Sequence, residues 1–322
     1  MTVAERPRSL VALPRRFFPR LSISQREALD GYVCISPWLL GVLIFTLGPF
    51  IASFLISFFR WNMIRPPAFV GLGNYRELFT DQFVRYATKA TVYYAALSVP
   101  AGLLGGLAVA LLLNLNLRGL SIYRTIIYSP AVVSGVATAM LWIWLLDPEL
   151  GLINSALRVI GIKGPAWLAD ENWAVPSLVM VNMWGVGGGM LVLLGALQNV
   201  PTTLYDAAKV DGAGAFGRFW HVTVPMISPI LLFNLVTGFI GAMQAFTNAY
   251  VMTSGGPHYA TMFYVLYLYR SAFVDFRMGY ASALAWLLFV IIMLLTLAIL
   301  RSSSLWVYYE GLRVAVTKER KG

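Results

Sequence analysis

Long apolar blocks alternate with short polar ones along this chain, and the alternation fixes its first description. Six blocks are long enough to cross a bilayer core as helices, which takes roughly 20 residues each. They cover about residues 32–59, 86–113, 125–146, 174–197, 227–252 and 280–300. Pro37 and Pro49 sit in or near the ends of the first. Gly102 and Gly106 in the second stand four apart, a small-residue face suited to close helix packing. The fourth carries the run Met183-Trp-Gly-Val-Gly-Gly-Gly, in which Gly185 and Gly189 repeat that spacing. Each such Gly weakens a helix by roughly 1 kcal/mol. Two explanations compete: plain helix packing, or a broken stretch that exposes backbone polar groups near the bilayer midplane.

Between the fourth and fifth blocks, residues 198–229 form a polar surface segment, QNVPTTLYDAAKVDGAGAFGRFWHVTVPMISP. Asn199 and Pro201 predict a helix start. Leu204, Tyr205 and Ala208 fall at helical spacing on one side, with Asp206 and Lys209 elsewhere around the turn. Asp211-Gly212 ends that helix, since Gly accepts φ > 0 at the position after a C-cap. A second short helix is expected over residues 213–221, stopping before Pro225. Ala207, Ala208, Gly212, Ala213 and Gly214 carry almost no side chain, so another backbone could approach closely. An ordinary helix-turn-helix between two spans satisfies the same residues.

Composition sharpens the picture. The 322 residues are 59% apolar and 12% charged, far from soluble norms. The formal charge of +10 raises the question of nucleic acid. The Lys and Arg, however, form no stripe with interleaved stacking aromatics; they lie at chain ends and in loops, as anionic lipid headgroups and the positive-inside rule require. With six spans both termini share a face. That face and residues 198–229 hold fifteen of the 24 Lys and Arg against nine opposite, which predicts cytoplasmic N- and C-termini. Residues 1–31 read as a basic cytoplasmic segment, in which Phe17, Phe18 and Leu21 could form an interfacial helix, and residues 302–322 as a cytoplasmic tail. The one cysteine, Cys34, rules out an intrachain disulfide and is expected as a buried small hydrophobe. No secretory signal is evident.

Candidate chemistry is sparse. None of the five lysines follows a glycine, so no phosphate-cradling G-K-[S/T] loop exists and any ATP site belongs to another chain. Every Asp and Glu falls outside the apolar blocks, which argues against proton or sodium coupling. Asp147, Glu149, Asp170 and Glu171 flank a Gly-rich turn with no His nearby, the pattern of a solvated loop rather than a metal site. His221 and His258 lie in segments on opposite sides of the bilayer, and no catalytic motif is present.

Asp206-Ala207-Ala208, Asp211-Gly212-Ala213, then Phe216, Phe219 and Pro225 resemble the EAA loop of binding-protein-dependent ABC importer permeases. Asp206 replaces the usual Glu. The likeness runs over about residues 32–301. Phe69-Val-Gly-Leu-Gly-Asn-Tyr75, read as loop and turn, Gly255-Gly256-Pro257 and Gly279-Tyr-Ala-Ser-Ala283 resemble the external segments of the F-type subunits of maltose permeases. The resemblance implies an all-α polytopic protein with six transmembrane helices in the type I importer permease fold, the core lying at about 86–301. It implies a carbohydrate or related polyol or sugar-phosphate solute moved by alternating access. It also implies partners: a second permease of the same fold, an ATPase dimer carrying ATP and Mg, an extracytoplasmic solute-binding protein and membrane lipid, but no nucleic acid. The chain itself then needs no cofactor, holds no metal and catalyses no reaction. Tyr205, Asp206, Ala207, Ala208, Asp211, Gly212 and Ala213 would couple it to the ATPase. Helix geometry near the midplane selects Trp184, Gly185 and Gly188, with Gly241, Gln244, Ala245 and Asn248, for the solute pathway, although the same residues could merely pack helices. Gly and Ala stand where the family has bulkier groups, so the partner permease could hold the solute instead. A secondary carrier acting alone, ion- or proton-coupled, is the competing reading.

Overall fold

The computed structural model describes residues 22–115 and 118–308. Residues 1–21 of the basic segment and the end of the tail, 309–322, lie outside the described residues, and with them the interfacial helix expected around Phe17 and Phe18. The described chain is helical apart from two two-residue strands, in agreement with the all-α, polytopic expectation. Four helices are long and apolar enough to cross a membrane, and two bent pairs raise the number to six.

The first span is a unit by itself. It runs over Ile23–Ile56 as α1 (Ile23–Val42), a π turn (Leu43–Leu47) and α2 (Gly48–Ile56). It starts nine residues before the expected Tyr32, because Ser22 and Gln25 form a reciprocal capping box that nucleates the helix within the polar segment. Cys34 is exposed on it, contrary to the expected burial.

The second unit begins with a small hairpin. β1 (Phe59–Arg60) pairs antiparallel with β2 (Ala68–Phe69), and α3 (Gly73–Thr80) follows. The segment 69–78, read from its Gly and Asn content as loop and turn, is therefore mostly helix. Asn74 is buried there because its amide donates to Ser57 O at 2.8 Å and Phe59 O at 2.9 Å. Against this hairpin stands Gly279, where a Cβ would meet Phe59 O at 1.8 Å; only Gly fits.

α4 (Gln82–Leu113) is the central helix, packed against α8 (Glu171–Trp184), α9 (Gly187–Gln198), α12 (Val224–Met243) and α13 (Tyr264–Tyr269). Asp81 caps it by accepting from Phe83 N. Gly106, Leu193 and Met190 make the close α4–α9 contact, whereas Gly102 has no atom nearby. The third span is not the single helix its composition predicts. α5 (Leu120–Val132) and α6 (Gly135–Leu145) meet at 98°. Pro130 removes a backbone donor near the end of α5, and the β-branched Val132-Val133 favours extended backbone at the corner. The fourth span bends by 51° between α8 and α9, at Gly185-Val186. This break is closely packed: a Cβ on Gly187 would lie 2.4 Å from Ile127 O and 2.8 Å from Tyr128 Cα.

The acidic segment folds over α7 (Leu152–Val159), with its acids at the surface as turn and helix caps: Asp147 accepts from Glu149 N and Leu150 N, Asp170 from Asn172 N. Buried Asn154 ties the segment together through Pro148 O, Pro165 O and the Trp167 indole. No group of three metal-ligating residues exists among the described residues. α14 (Met278–Ser303) is the last span.

Asn74→Ala leaves two buried carbonyls without their donor. At about 1–3 kcal/mol for each unsatisfied buried group, the purified protein is expected to lose several degrees of thermal midpoint in detergent; an unchanged midpoint refutes the role of this amide.

Candidate functional site

Residues 198–229 fold as two short helices and then a span. Asn199 is not the start of the first. It closes α9, its N–H donating to Ala196 O and Leu197 O, and Pro201 takes the N-cap position before α10 (Thr202–Val210). α10 ends in a Schellman turn: Gly212 N donates to Lys209 O at 3.0 Å and Ala213 N to Ala208 O at 2.8 Å, with Gly212 at φ +78°. The second helix does not stop before Pro225. α11 (Ala215–Arg218) passes through a π turn (Phe219–Thr223) directly into α12, giving one continuous span Ala215–Met243. The widened turn absorbs the missing Pro225 N–H, and Pro is tolerated this near a helix start.

Tyr205 is half-buried and its hydroxyl pairs with that of buried Thr223 at 3.0 Å, which fastens α10 to the foot of α12. Asp206 points outward and pairs with Lys209 at 2.9 Å. Ala207, Asp211 and Gly212 are exposed, while Ala208 and Ala213 are half-buried. Leu204, Val210, Phe216 and Trp220 leave large apolar groups uncovered on the same segment, Val210 at 88% exposure. A turn closed by its own hydrogen bonds thus presents small residues at Ala207 and Gly212 flanked by exposed apolar side chains.

The core of the second unit divides into two clusters. One gathers Tyr94, Leu178, Phe263, Tyr264 and Leu284; the other Ala110, Met190, Leu193, Leu197 and Ile227. Where they part, a cavity of about 350 Å³ opens among α4, α8, α9 and α12. Its polar wall is made of Ser98, Asn182, Asn234 and Thr237, beside Tyr94. Ser98 is 2% exposed and its hydroxyl completes no hydrogen bond. Asn234 donates to Ile230 O, and its Oδ1 faces the Gly189 backbone. None of the lining residues is charged. The volume is in the range of small-molecule sites, roughly 300–1,000 Å³.

Of the residues selected for the pathway, Gly241 lines this cavity. Trp184 does not: it packs on the cluster of Tyr94, Leu178 and Tyr264 with its ring edge-on to Trp142 at 6.1 Å. Gly185 forms the span break, and Gly188 faces Ala131. Gln244 ends α12, exposed; Ala245 sits half-buried in the short break after it, and Asn248, also half-buried, caps a π turn (Ala249–Thr253). Ser98, Asn182 and Asn234 lie outside the set that midplane geometry selects. Uncharged amides inside apolar spans carry the signal of intramembrane ionisable groups in milder form.

A second polar cluster lies at the opposite end of α4. The Asp81 carboxylate accepts from both Tyr267 and Tyr280 at 2.5 Å, and Arg277 pairs with Glu77. Burial alone raises the Asp81 carboxyl, but donors from Tyr267, Tyr280 and Phe83 N outweigh it and hold it below the ordinary carboxylate value. Burial, and then the bond to Asp81, push the Tyr267 hydroxyl up to about 12.

Residues 99–307 match the family described as binding-protein-dependent transport system inner membrane component. The chain belongs to that family. It is 39% identical over 292 residues to the probable ABC transporter permease protein YesP of Bacillus subtilis, covering 89% of this chain and 94% of the relative. It is 34% identical over 282 residues to the trehalose/maltose transport system permease protein MalF of Thermococcus litoralis, covering 87% and 95%. Its fold matches a solved bacterial ABC transporter involved in the import of the acidic polysaccharide alginate, with a TM-score of 0.77 at 25% identity over 87% of this chain and 96% of that one. The chain is thus a permease subunit of an ABC importer, a component of the inner membrane, and the reading as a lone secondary carrier falls away.

Two outcomes are expected. Trp184→Ala should cost the complex about 1.5–3 kcal/mol of stability, from half-buried area and a lost ring pair, read as lower recovery; normal recovery with slowed uptake would return Trp184 to the pathway. Asp81→Asn should lower the thermal midpoint at pH 7. Because the Asp81 pKa is depressed, its contribution is complete above the ordinary carboxylate value and is lost as pH falls through the depressed one. The gap between wild type and variant should therefore shrink on acidification below about pH 4, and a gap independent of pH contradicts the assignment.

Proposed function

We propose that this subunit translocates a carbohydrate delivered by an extracytoplasmic binding protein, driven by ATP hydrolysis on a partner ATPase dimer, with a second permease of the same fold completing the pathway. The carbohydrate reading draws on the relatives' names: trehalose and maltose for one, alginate for another. ATP and Mg belong to the partner, and this chain contributes no catalytic group. In this reading the N- and C-termini and residues 198–229 are cytoplasmic.

One observation carries the mechanism. The segment 198–229 joins α9 to α12, and both helices wall the cavity that holds Ser98, Asn182, Asn234 and Thr237. Its exposed apolar groups and small residues suit docking onto the ATPase, with Tyr205, Asp206, Ala207, Ala208, Asp211, Gly212 and Ala213 forming the contact. Displacing a rigid, hydrogen-bonded turn then moves two walls of the cavity together. Such a lever biases the bundle only if it contacts the open and closed ATPase states differently. The cavity would take the solute in one of the two states. Its hydroxyl and amide groups suit sugar hydroxyls, and Gly241 lets the ligand approach the α12 backbone. Trp184, Gly185, Gly188, Gln244, Ala245 and Asn248 then shape the walls rather than touch the solute.

Gly212→Leu tests the lever. No atom lies within 4 Å of a Cβ there, so insertion and assembly should survive, but the left-handed backbone is strained and the docking face gains bulk. Uptake and solute-stimulated ATP hydrolysis by the reconstituted complex are expected to fall at least about tenfold, with Gly212→Asn restoring part of both because Asn tolerates φ > 0. Normal stimulated hydrolysis in the Leu variant would end the coupling role of this turn. Asn234→Leu should raise the KM for uptake with complex recovery unchanged; an unaltered KM would move the solute elsewhere.

A further inference from the structure

Helix α7 is built inside out. On a helix at the edge of a protein the apolar stripe ordinarily faces the core. In α7 the residue that faces inward is polar: Asn154 is buried and bonds Pro148 O, Pro165 O and the Trp167 indole. Leu152, Ala156 and Val159, with Ile160 at the C-cap, fall at i, i+4, i+7 and i+8 on the side away from Asn154. All four are exposed, Val159 at 87%. Leu150 and Ile162, also exposed, flank the helix. We propose that α7 lies along the bilayer surface with this face sunk into the boundary between headgroups and acyl chains, in the leaflet away from residues 198–229.

The depth of the helix decides its neighbour. α7 begins against the end of the third span, where a Cβ on Gly151 would lie 2.7 Å from Leu145 O and 2.3 Å from Asp147 O. The segment that follows α7 is tied back to it and to the fourth span. A Cβ on Gly164 would lie 2.0 Å from Asn154 Oδ1, and Ser177 Oγ on α8 donates to Trp167 O at 3.0 Å. At about 1.5 Å per residue α7 is only about 12 Å long, so no part of it stands far from these two span ends. The same ends carry exposed tryptophans, Trp144 in the last turn of α6 and Trp173 in the first turn of α8. Tryptophan gathers at the membrane–water interface. An outward apolar face at that depth meets lipid.

Charge does not supply the attraction. Across residues 147–163, Asp147 and Glu149 offset Arg158 and Lys163. Arg158 also folds back on its own segment, donating to Glu149 O and Asn154 O. Surface-lying amphipathic helices are held by buried apolar area and by attraction to anionic lipids, and here the area is what remains. The partner is therefore the acyl region of the bilayer rather than a charged headgroup. Seated in this way, α7 holds the adjoining ends of the third and fourth spans at one depth.

The test uses the assembled importer in lipid nanodiscs, with Cys34→Ala and cysteine-free partner subunits, so that one introduced thiol carries a nitroxide. Oxygen concentrates among acyl chains and a nickel chelate stays in water. Labels at Leu152→Cys and Val159→Cys are expected to show an oxygen-to-nickel collision ratio at least about threefold above that of a label at Glu149→Cys. The ratio should be the same in phosphatidylcholine alone and with anionic lipid added. Nickel collisions as frequent as at Glu149 would place the face in water and overturn the proposal. Shielding from both reagents overturns it too, because protein, such as the partner permease, then covers the face. So does nickel access that disappears only when the solute-binding protein is added, which would make α7 a docking surface for that protein. An oxygen preference seen only with anionic lipid overturns the assignment to the acyl region.

Discussion

A bilayer core offers no water, so every backbone N–H and C=O within it must find a partner inside the protein. The described spans obey this constraint as helices, and the places where they depart from it position everything else. The third span turns through 98° and the fourth through 51°, and at the second break the missing side chain of Gly187 lets α9 approach the Ile127 and Tyr128 backbone of α5. Backbone freed at one break is shielded by the neighbouring helix. The same bends split the core into two clusters and leave a polar cavity between them. Among the described residues five helices carry an internal proline, at Pro37, Pro100, Pro130, Pro176 and Pro229, which an aqueous helix would tolerate poorly but a packed bundle can accommodate.

The cavity and the surface turn are parts of one mechanical element. α9, the Schellman turn at Gly212 and the continuous helix from Ala215 to Met243 form a single path from an exposed docking face to the cavity walls. The Tyr205–Thr223 bond keeps α10 from swinging independently of that path. At the other end of α4, Asp81 ties the helix start to α13 and α14 through two tyrosines, so that relative motion of these elements must break charge-assisted hydrogen bonds. Ties at the foot of α12 and at the start of α4 favour movement of bundles over local flexing.

The sequence by itself determined what depends on composition and local geometry. Apolar length and charge placement marked the six crossings, Gly212 marked the helix end that requires φ > 0, and the pattern from Asp206 to Pro225 carried the family. Tertiary structure decided the rest. Whether Gly185 to Gly189 pack or break is not local: Gly185 ends α8, Gly187 touches α5, and Gly189 lies beside Asn234. The role of Trp184 depended on where Trp142 came to lie, and that of Gly279 on a carbonyl more than two hundred residues earlier, at Phe59. Asp81 read as a loop acid because its partners, Tyr267 and Tyr280, are as remote in sequence. Periodicity reports which face of a helix is apolar, but which polar groups meet is set by how helices bend and pack, and no single segment contains that information.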